Sequence, residues 1–220
     1  MSTYLWQNFL KDQSIIRFIA HRIEKDYLQS GAKALIEIGP GKGAITKRIH
    51  QLSDCFFVVE KDLRMQEPLQ ALGLAEQQII FWDVLEQNLA ELLREREVKA
   101  EDAIVVGNLP YYITSPIFKH LFWKEDPDFL WGFFMIQDEV GEKIRSDAKK
   151  KSYLWRLVNR GYWVEYIKTV PAKCFSPAPK VKSCLLRFTK KEKTESVAYS
   201  ALEAFLNHFA PYSRKTLGKI

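Results

Sequence analysis

The chain has 220 residues, 47% hydrophobic and 27% charged, which suits one good-sized domain with a small appendage and excludes disorder of the whole. Its apolar runs are strand-sized and far short of a membrane span, and Cys55, Cys174 and Cys184 form no close pair and no metal-ligand spacing. The net charge of +6 is unevenly divided, with 15 basic and 22 acidic residues over 1–142 but 18 and 5 over 143–220. Such segregation suits a polyanionic partner, because Lys and Arg displace counterions from phosphates, although a solvated Lys-rich face would give the same count.

Residues 1–10 lack the basic, apolar, small-residue order of a secretory signal, so a reduced, cytoplasmic setting is expected. Apolar residues Ile15, Ile16, Ile19, Ala20 and Ile23 make a helical stripe over 12–28, with Asp12 or Ser14 as cap. A buried strand is expected at 34–38, running into Gly39-Pro-Gly-Lys-Gly43, and then a helix at 44–52. Strands follow at 55–59, 78–82 and 103–107, with a weak, Pro68-interrupted helix at 62–72 and another helix at 88–96. Ser115-Pro116 reads as a helix start with Ser as cap and Pro first. Further strands are expected at 130–136, 162–170 and 183–189, and a helix at 138–144. Alternating strand and helix predict a parallel sheet with helices on both faces. Residues 190–196 read as a polar linker and 198–209 as a helix.

Ligands of such sheets sit beyond the carboxyl ends of the strands, so the residues there carry the chemistry. The first strand ends in Glu37-x-Gly39-x-Gly41-x-Gly43, where glycines let backbone approach a cofactor closely; an ordinary structural turn is the plainer use of the same residues. Glu60 ends the second strand, in position to accept both hydroxyls of a ribose. Asp83 ends the third, able to accept from an adenine amino group. The G-x-G-x-G spacing favours S-adenosylmethionine over a dinucleotide.

The fourth strand ends in Asn108-Leu109-Pro110-Tyr111. A ring amino group is a poor nucleophile because its lone pair is delocalised. It needs acceptors that hold both N–H bonds and favour a tetrahedral nitrogen. The Asn108 side-chain oxygen and the Leu109 carbonyl supply them, with Pro110 shaping the turn and Tyr111 stacking on a base that has left its own stack. The bland alternative makes Asn108 a helix cap and Tyr111 core. The four histidines form no ligand set and read as polar surface.

Together with Gln7-Asn8-Phe9-Leu10, Val59-Glu60-Lys61-Asp62 and Phe175-Ser-Pro-Ala-Pro-Lys-Val-Lys-Ser183, these stretches resemble the KsgA/Erm-type rRNA adenine N(6)-dimethyltransferases from Gln7 to about Phe188. The resemblance implies an α/β fold, the Rossmann-like class I S-adenosylmethionine-dependent methyltransferase, with a mixed seven-stranded sheet. It implies that Asn8 and Leu10 close over the cofactor and that Gly39 lines its methionine end. Asp83 and Val84 would line the adenine, and Asn108 would touch both methyl donor and acceptor. Phe175 would form a second aromatic wall opposite Tyr111, although 175–181 also reads as a Pro-stiffened hairpin loop.

Ile-Gly-Pro-Gly, Asn-Leu-Pro-Tyr and Pro-Ala-Pro-Lys-Val look more like the KsgA branch, which dimethylates two adjacent adenosines near the 3′ end of 16S rRNA in the assembling small subunit. The Erm branch, acting on a 23S adenosine, and a nucleic-acid-binding factor with methylation dispensable are the alternatives. Residues 1–190 are expected to be the methyltransferase domain. Residues 191–220 are expected to be a linker and the start of a truncated C-terminal helical lobe. The resemblance further implies a monomer with rRNA as partner and no membrane. Trp6 stands where the family has Gly, Tyr112 where it has Asn, and Tyr153-Leu154-Trp155 where it has Tyr-Gly.

Overall fold

A computed structural model describes residues 7–124 and 129–192, with Ala204 and His208. Trp6, most of the expected linker and the rest of the expected helix at 198–209 lie outside the described residues. The chain opens with the two-residue strand β1 (Phe9–Leu10) and helix α1 (Gln13–Ser30). The Asp12 side chain accepts from the Ser14 and Ile15 amides to start α1, and Gly31, at φ 69°, ends it. β2 (Ala34–Ile38) is buried at all five positions, as a central parallel strand must be. The following helix, α2 (Thr46–Ile49), is much shorter than expected, because the glycine turn holds the chain as far as Ile45.

β3 (Cys55–Glu60) leads through a 3-10 turn into α3 (Gln66–Gln70), where Pro68 lies in the first turn and needs no amide partner. β4 (Ile79–Phe81) is followed by α4 (Leu89–Arg94), capped by the Asn88 side chain, and then β5 (Ala103–Asn108). Helix α5 (Thr114–Lys119) starts ahead of the expected Ser115 cap and passes into a π-helical stretch, His120–Lys124. β6 (Trp131–Gln137) and α6 (Asp138–Ile144) stand where the pattern put them. Helix α7 (Tyr153–Gly161) has no counterpart in the sequence reading. Ser152 caps it, and its inward face carries the polar Asn159, whose amide donates to the Ile144 carbonyl at 2.7 Å. β7 (Tyr162–Val170), the short β8 (Phe175–Ser176) and β9 (Ser183–Lys190) complete the described strands.

Seven strands form one mixed sheet in the order β4-β3-β2-β5-β6-β9-β7. β2 to β6 pair in parallel, and β9 lies antiparallel between β6 and β7. Side chains alternate across it. Leu35, Phe56 and Ile104 face a cluster containing Ile16 and Ile19 of α1, while Ile36, Phe57 and Val105 face one containing Phe118 of α5 and Leu157 of α7. The helices therefore cover both faces. From β2 the chain first builds outward through β3 and β4, then returns to β5 on the other side. This reversal leaves a crevice at the carboxyl ends of β2 and β5. Above it, β1 pairs antiparallel with β8, joining Phe9 to Ser176 and Leu10 to Phe175. Among the described residues no helix is long and apolar enough to cross a membrane.

Candidate active site

The crevice holds a cavity of about 320 Å³. Its walls come from residues 7–11, the glycine turn with Glu37, Glu60 at the end of β3, Asn108–Tyr111 after β5, and Ser176 of β8. Of the residues the sequence singled out, Asn8, Leu10, Gly39, Gly41, Glu60, Asn108, Leu109, Pro110 and Tyr111 all line it. Segments as far apart in sequence as Gln7 and Ser176 meet here because the strand order and the β1–β8 pairing bring them together. The Asn108 amide nitrogen, for example, donates to the Asn8 carbonyl at 3.4 Å.

The glycine turn is built for close approach. Gly39, Gly41 and Gly43 all have positive φ, where an L side chain is strained. A Cβ on Gly41 would also stand 3.0 Å from the Phe9 ring, so the ring sits closely over a bare position and would have to shift slightly to admit a side chain. Lys42 lies over the same ring, 5.0 Å from its centre. The Gly41 amide donates to one Glu60 oxygen at 3.0 Å and the Asp62 amide to the other at 2.9 Å. Burial pushes the Glu60 carboxyl up, against the lowering effect of these amides. Glu37, 2% exposed, accepts from the Thr46 hydroxyl at 2.7 Å. Burial pushes it up to about 7, the Thr46 bond acts against this, and the Glu60 charge adds to it.

The Asn108–Tyr111 arm is held from several sides. Asn108 is paired with Met135 of β6, and the Leu109 amide donates to the Met135 carbonyl at 3.0 Å. Thr114 donates to the Pro110 carbonyl at 3.1 Å. Committing the Asn108 nitrogen to Asn8 leaves Oδ1 as the acceptor. Tyr111 is half-buried and shares a hydrogen bond with the Ser183 hydroxyl at the start of β9.

Three expected residues are not brought to the cavity wall. Asp83 pairs with the Lys61 ammonium at 2.5 Å and accepts from the Leu85 amide at 3.0 Å. Burial raises its carboxyl, but the Lys61 and Leu85 bonds outweigh that and hold it below the usual range. Val84 is buried in the core beside Leu89 and Leu93. Phe175 is 1% exposed, because its pairing with Leu10 turns the ring into the core cluster with Cys174 and Val170; the neighbouring Ser176 faces the cavity instead. The aromatic wall expected from Phe175 is thus not formed in this arrangement. His120, expected on the polar surface, is buried and bonds the Gln87 carbonyl at 2.7 Å.

Glu37, Phe9 and Ser176 line the cavity without having been assigned there. Glu37 had a signal, a lone carboxylate inside the apolar run of a central strand. Phe9 and Ser176 had none, since only the β1–β8 pairing brings them in. The residues present suit an adenosine-bearing cation: two buried carboxylates, a bare glycine backbone and an acceptor-bearing arm share one cavity.

The sheet order, the glycine turn at the switch point and this cavity define a class I S-adenosylmethionine-dependent methyltransferase fold. Structures titled as a dimethyladenosine transferase from Plasmodium falciparum and as the 23S rRNA methyltransferase ErmE share it. Their TM-scores are 0.75 and 0.69 at 22% and 24% identity, covering 95% and 91% of this chain and 73% and 78% of theirs. Residues 2–220 match the family described as ribosomal RNA adenine dimethylase, and the chain belongs to it. It is 33% identical to the ribosomal RNA small subunit methyltransferase A of Hydrogenobaculum sp. over 96% of this chain and 79% of that one. It is 36% identical to the protein of the same name in Bacillus cytotoxicus, over 86% of this chain and 64% of that one.

Proposed function

We propose that the chain transfers methyl groups from S-adenosylmethionine to the N6 amino group of adenosines in small-subunit rRNA, twice per base. The two adjacent adenosines near the 3′ end of 16S rRNA are the proposed targets. The observation that carries this reading is the Asn108–Tyr111 arm, held at the same cavity as the glycine turn and Glu60. The relatives named for the small subunit support the KsgA branch over the Erm branch.

The cofactor, when bound, supplies a methyl group on a positively charged sulfur. Glu60 would accept the ribose hydroxyls on the lone pairs its two backbone donors leave free, and Gly39 and Gly41 would let the methionine end lie against bare backbone. Asn8 and Leu10 would cover it and exclude water. Asp83 would reach its adenine only once Lys61 releases the carboxylate, and Val84, which the same reading assigns to the adenine, would have to offer its backbone because its side chain is in the core. At the substrate, Asn108 Oδ1 and the Leu109 carbonyl accept the two N–H bonds of the flipped adenine and favour a tetrahedral nitrogen. The Tyr111 ring carries the base. The methylated nitrogen becomes acidic enough to lose its proton to water, so the arm needs no strong base.

The proposal extends to residues 1–190 as the methyltransferase domain, 191–220 as the approach to a helical lobe, and a cytoplasmic monomer. Tritiated methyl transfer to small subunits lacking adenine dimethylation, with large-subunit rRNA in parallel, tests it. Dimethyladenosine label on the small subunit is expected. Label only on large-subunit RNA would move the chain to the Erm branch, and label on neither would refute the enzyme reading.

A further inference from the structure

Ser183 is the first residue of β9 and is fully buried, flanked in register by Gln137 of β6 and Val170 of β7. Its followers Cys184, Leu185 and Leu186 are what a central strand requires; a hydroxyl at that depth is costly unless it is bonded. The partner it finds is the Tyr111 hydroxyl. Burial pushes the Tyr111 phenol up, the Ser183 bond acts the other way and Cys184 adds to the rise, so the phenol is neutral at ordinary pH.

Tyr111 begins a single 3-10 turn immediately after Pro110. The Leu109 amide and the Pro110 carbonyl fix its backbone, but they leave the ring two side-chain torsions. The bond at the far tip of the ring removes that freedom. It also commits the hydroxyl to the buried start of β9 and leaves the ring face as the surface offered.

We propose that Ser183 is a positioning residue for the methyl acceptor, holding the Tyr111 hydroxyl so that the ring presents one fixed face to the adenine. This rests on the reading of the cavity as an adenine methylation site. It follows that the two hydroxyls act as one unit. Losing either has the same effect, and losing both costs no more than losing one.

The test compares Tyr111→Phe, Ser183→Ala, the double variant and Ser183→Thr with the wild type. Each is measured for methyl transfer to small subunits, for S-adenosylhomocysteine affinity, and for quenching of 2-aminopurine placed at the target position of a short RNA. The expected result is a fall of about tenfold in kcat for each single variant and no further fall in the double. Quenching should be lost to the same degree, cofactor affinity unchanged, and Ser183→Thr restored. Should Ser183→Ala fail to fold, Ser183→Cys, similar in shape and a weak donor, takes its place.

Wild-type kcat and quenching in the Ser183 variant would overturn the proposal, as would single losses that multiply in the double. A loss confined to Tyr111→Phe would also overturn it, by assigning the hydroxyl to the substrate directly. A wild type that methylates no rRNA but binds S-adenosylhomocysteine would overturn the site reading and this one with it.

Discussion

Asn108 reaches across the cavity to the Asn8 carbonyl, and that contact decides which of its amide atoms is left to accept a hydrogen bond. Asn108→Ala should lower methyl transfer by about 10²-fold or more, as removal of one preorganised polar contact does elsewhere, with S-adenosylhomocysteine affinity retained in calorimetry. Lys61 occupies Asp83 from solvent, its own side chain more than half exposed. Lys61→Met should therefore bind S-adenosylhomocysteine about threefold tighter, and added salt should raise the wild-type affinity but not the variant's. Equal affinities at all salt concentrations would count against an opposing ion pair. Glu37 holds its proton up to about 7 in the folded chain, against an ordinary 4.5. The folded state thus binds this proton more tightly than the unfolded chain, and stability falls as pH rises from about 4.5 to about 7, by about 3 kcal/mol at full amplitude. Glu37→Gln, which keeps a partner for Thr46, should remove that fall. Denaturation at about pH 5 and about pH 8 shows it as a gap between variant and wild type that opens at the higher pH.

Elements differ in how openly the sequence declares them. β2, β7 and α6 stand at the expected residues, because an unbroken apolar run or a clean change of period marks each. α7 is nine residues long and has Arg156 on its outer face and Leu157 and Val158 inside, so its stripe is clean but short; the buried Asn159 is explained by the bonds of its side chain to Ile144 and Ser146. β1 and β8 are two residues each and exist only as each other's partner. No local pattern announces them, and this is why the inward turn of Phe175 was not foreseen. The glycines, Glu60 and the Asn108 arm were legible since each ends a recognisable strand; Ser176 and Ser183 were not, since their roles depend on what lies opposite. The β1 roof makes its own demand on the turn beneath it. Gly41→Ala should cost about 1–2 kcal/mol from the positive φ alone and should push Phe9 outward. Thermal melting measures the first effect. Faster proteolysis at residues 7–11, with unchanged cleavage elsewhere, measures the second.

For the molecule as a whole, the net positive charge lies in the last third, while all the cavity-lining residues but Ser176 lie in the first two. Lys180 and Lys182 are exposed on the loop between β8, whose Ser176 lines the cavity, and β9. Replacing both by Ala should reduce the slope of log affinity for single-stranded rRNA against log salt by about 1.4, leaving cofactor affinity alone. A filter-binding series at several salt concentrations reads this directly, and an unchanged slope would place the RNA elsewhere. The pairing of Phe9–Leu10 with Phe175–Ser176 has a consequence in time as well as in space. A nascent chain translated as far as Val170 already carries the glycine turn, Glu60 and the Asn108 arm, yet its roof strand has nothing to pair with. The roofed cavity therefore forms only after nearly the whole domain has left the ribosome, and β1, the first described strand to be translated, is among the last to find its place.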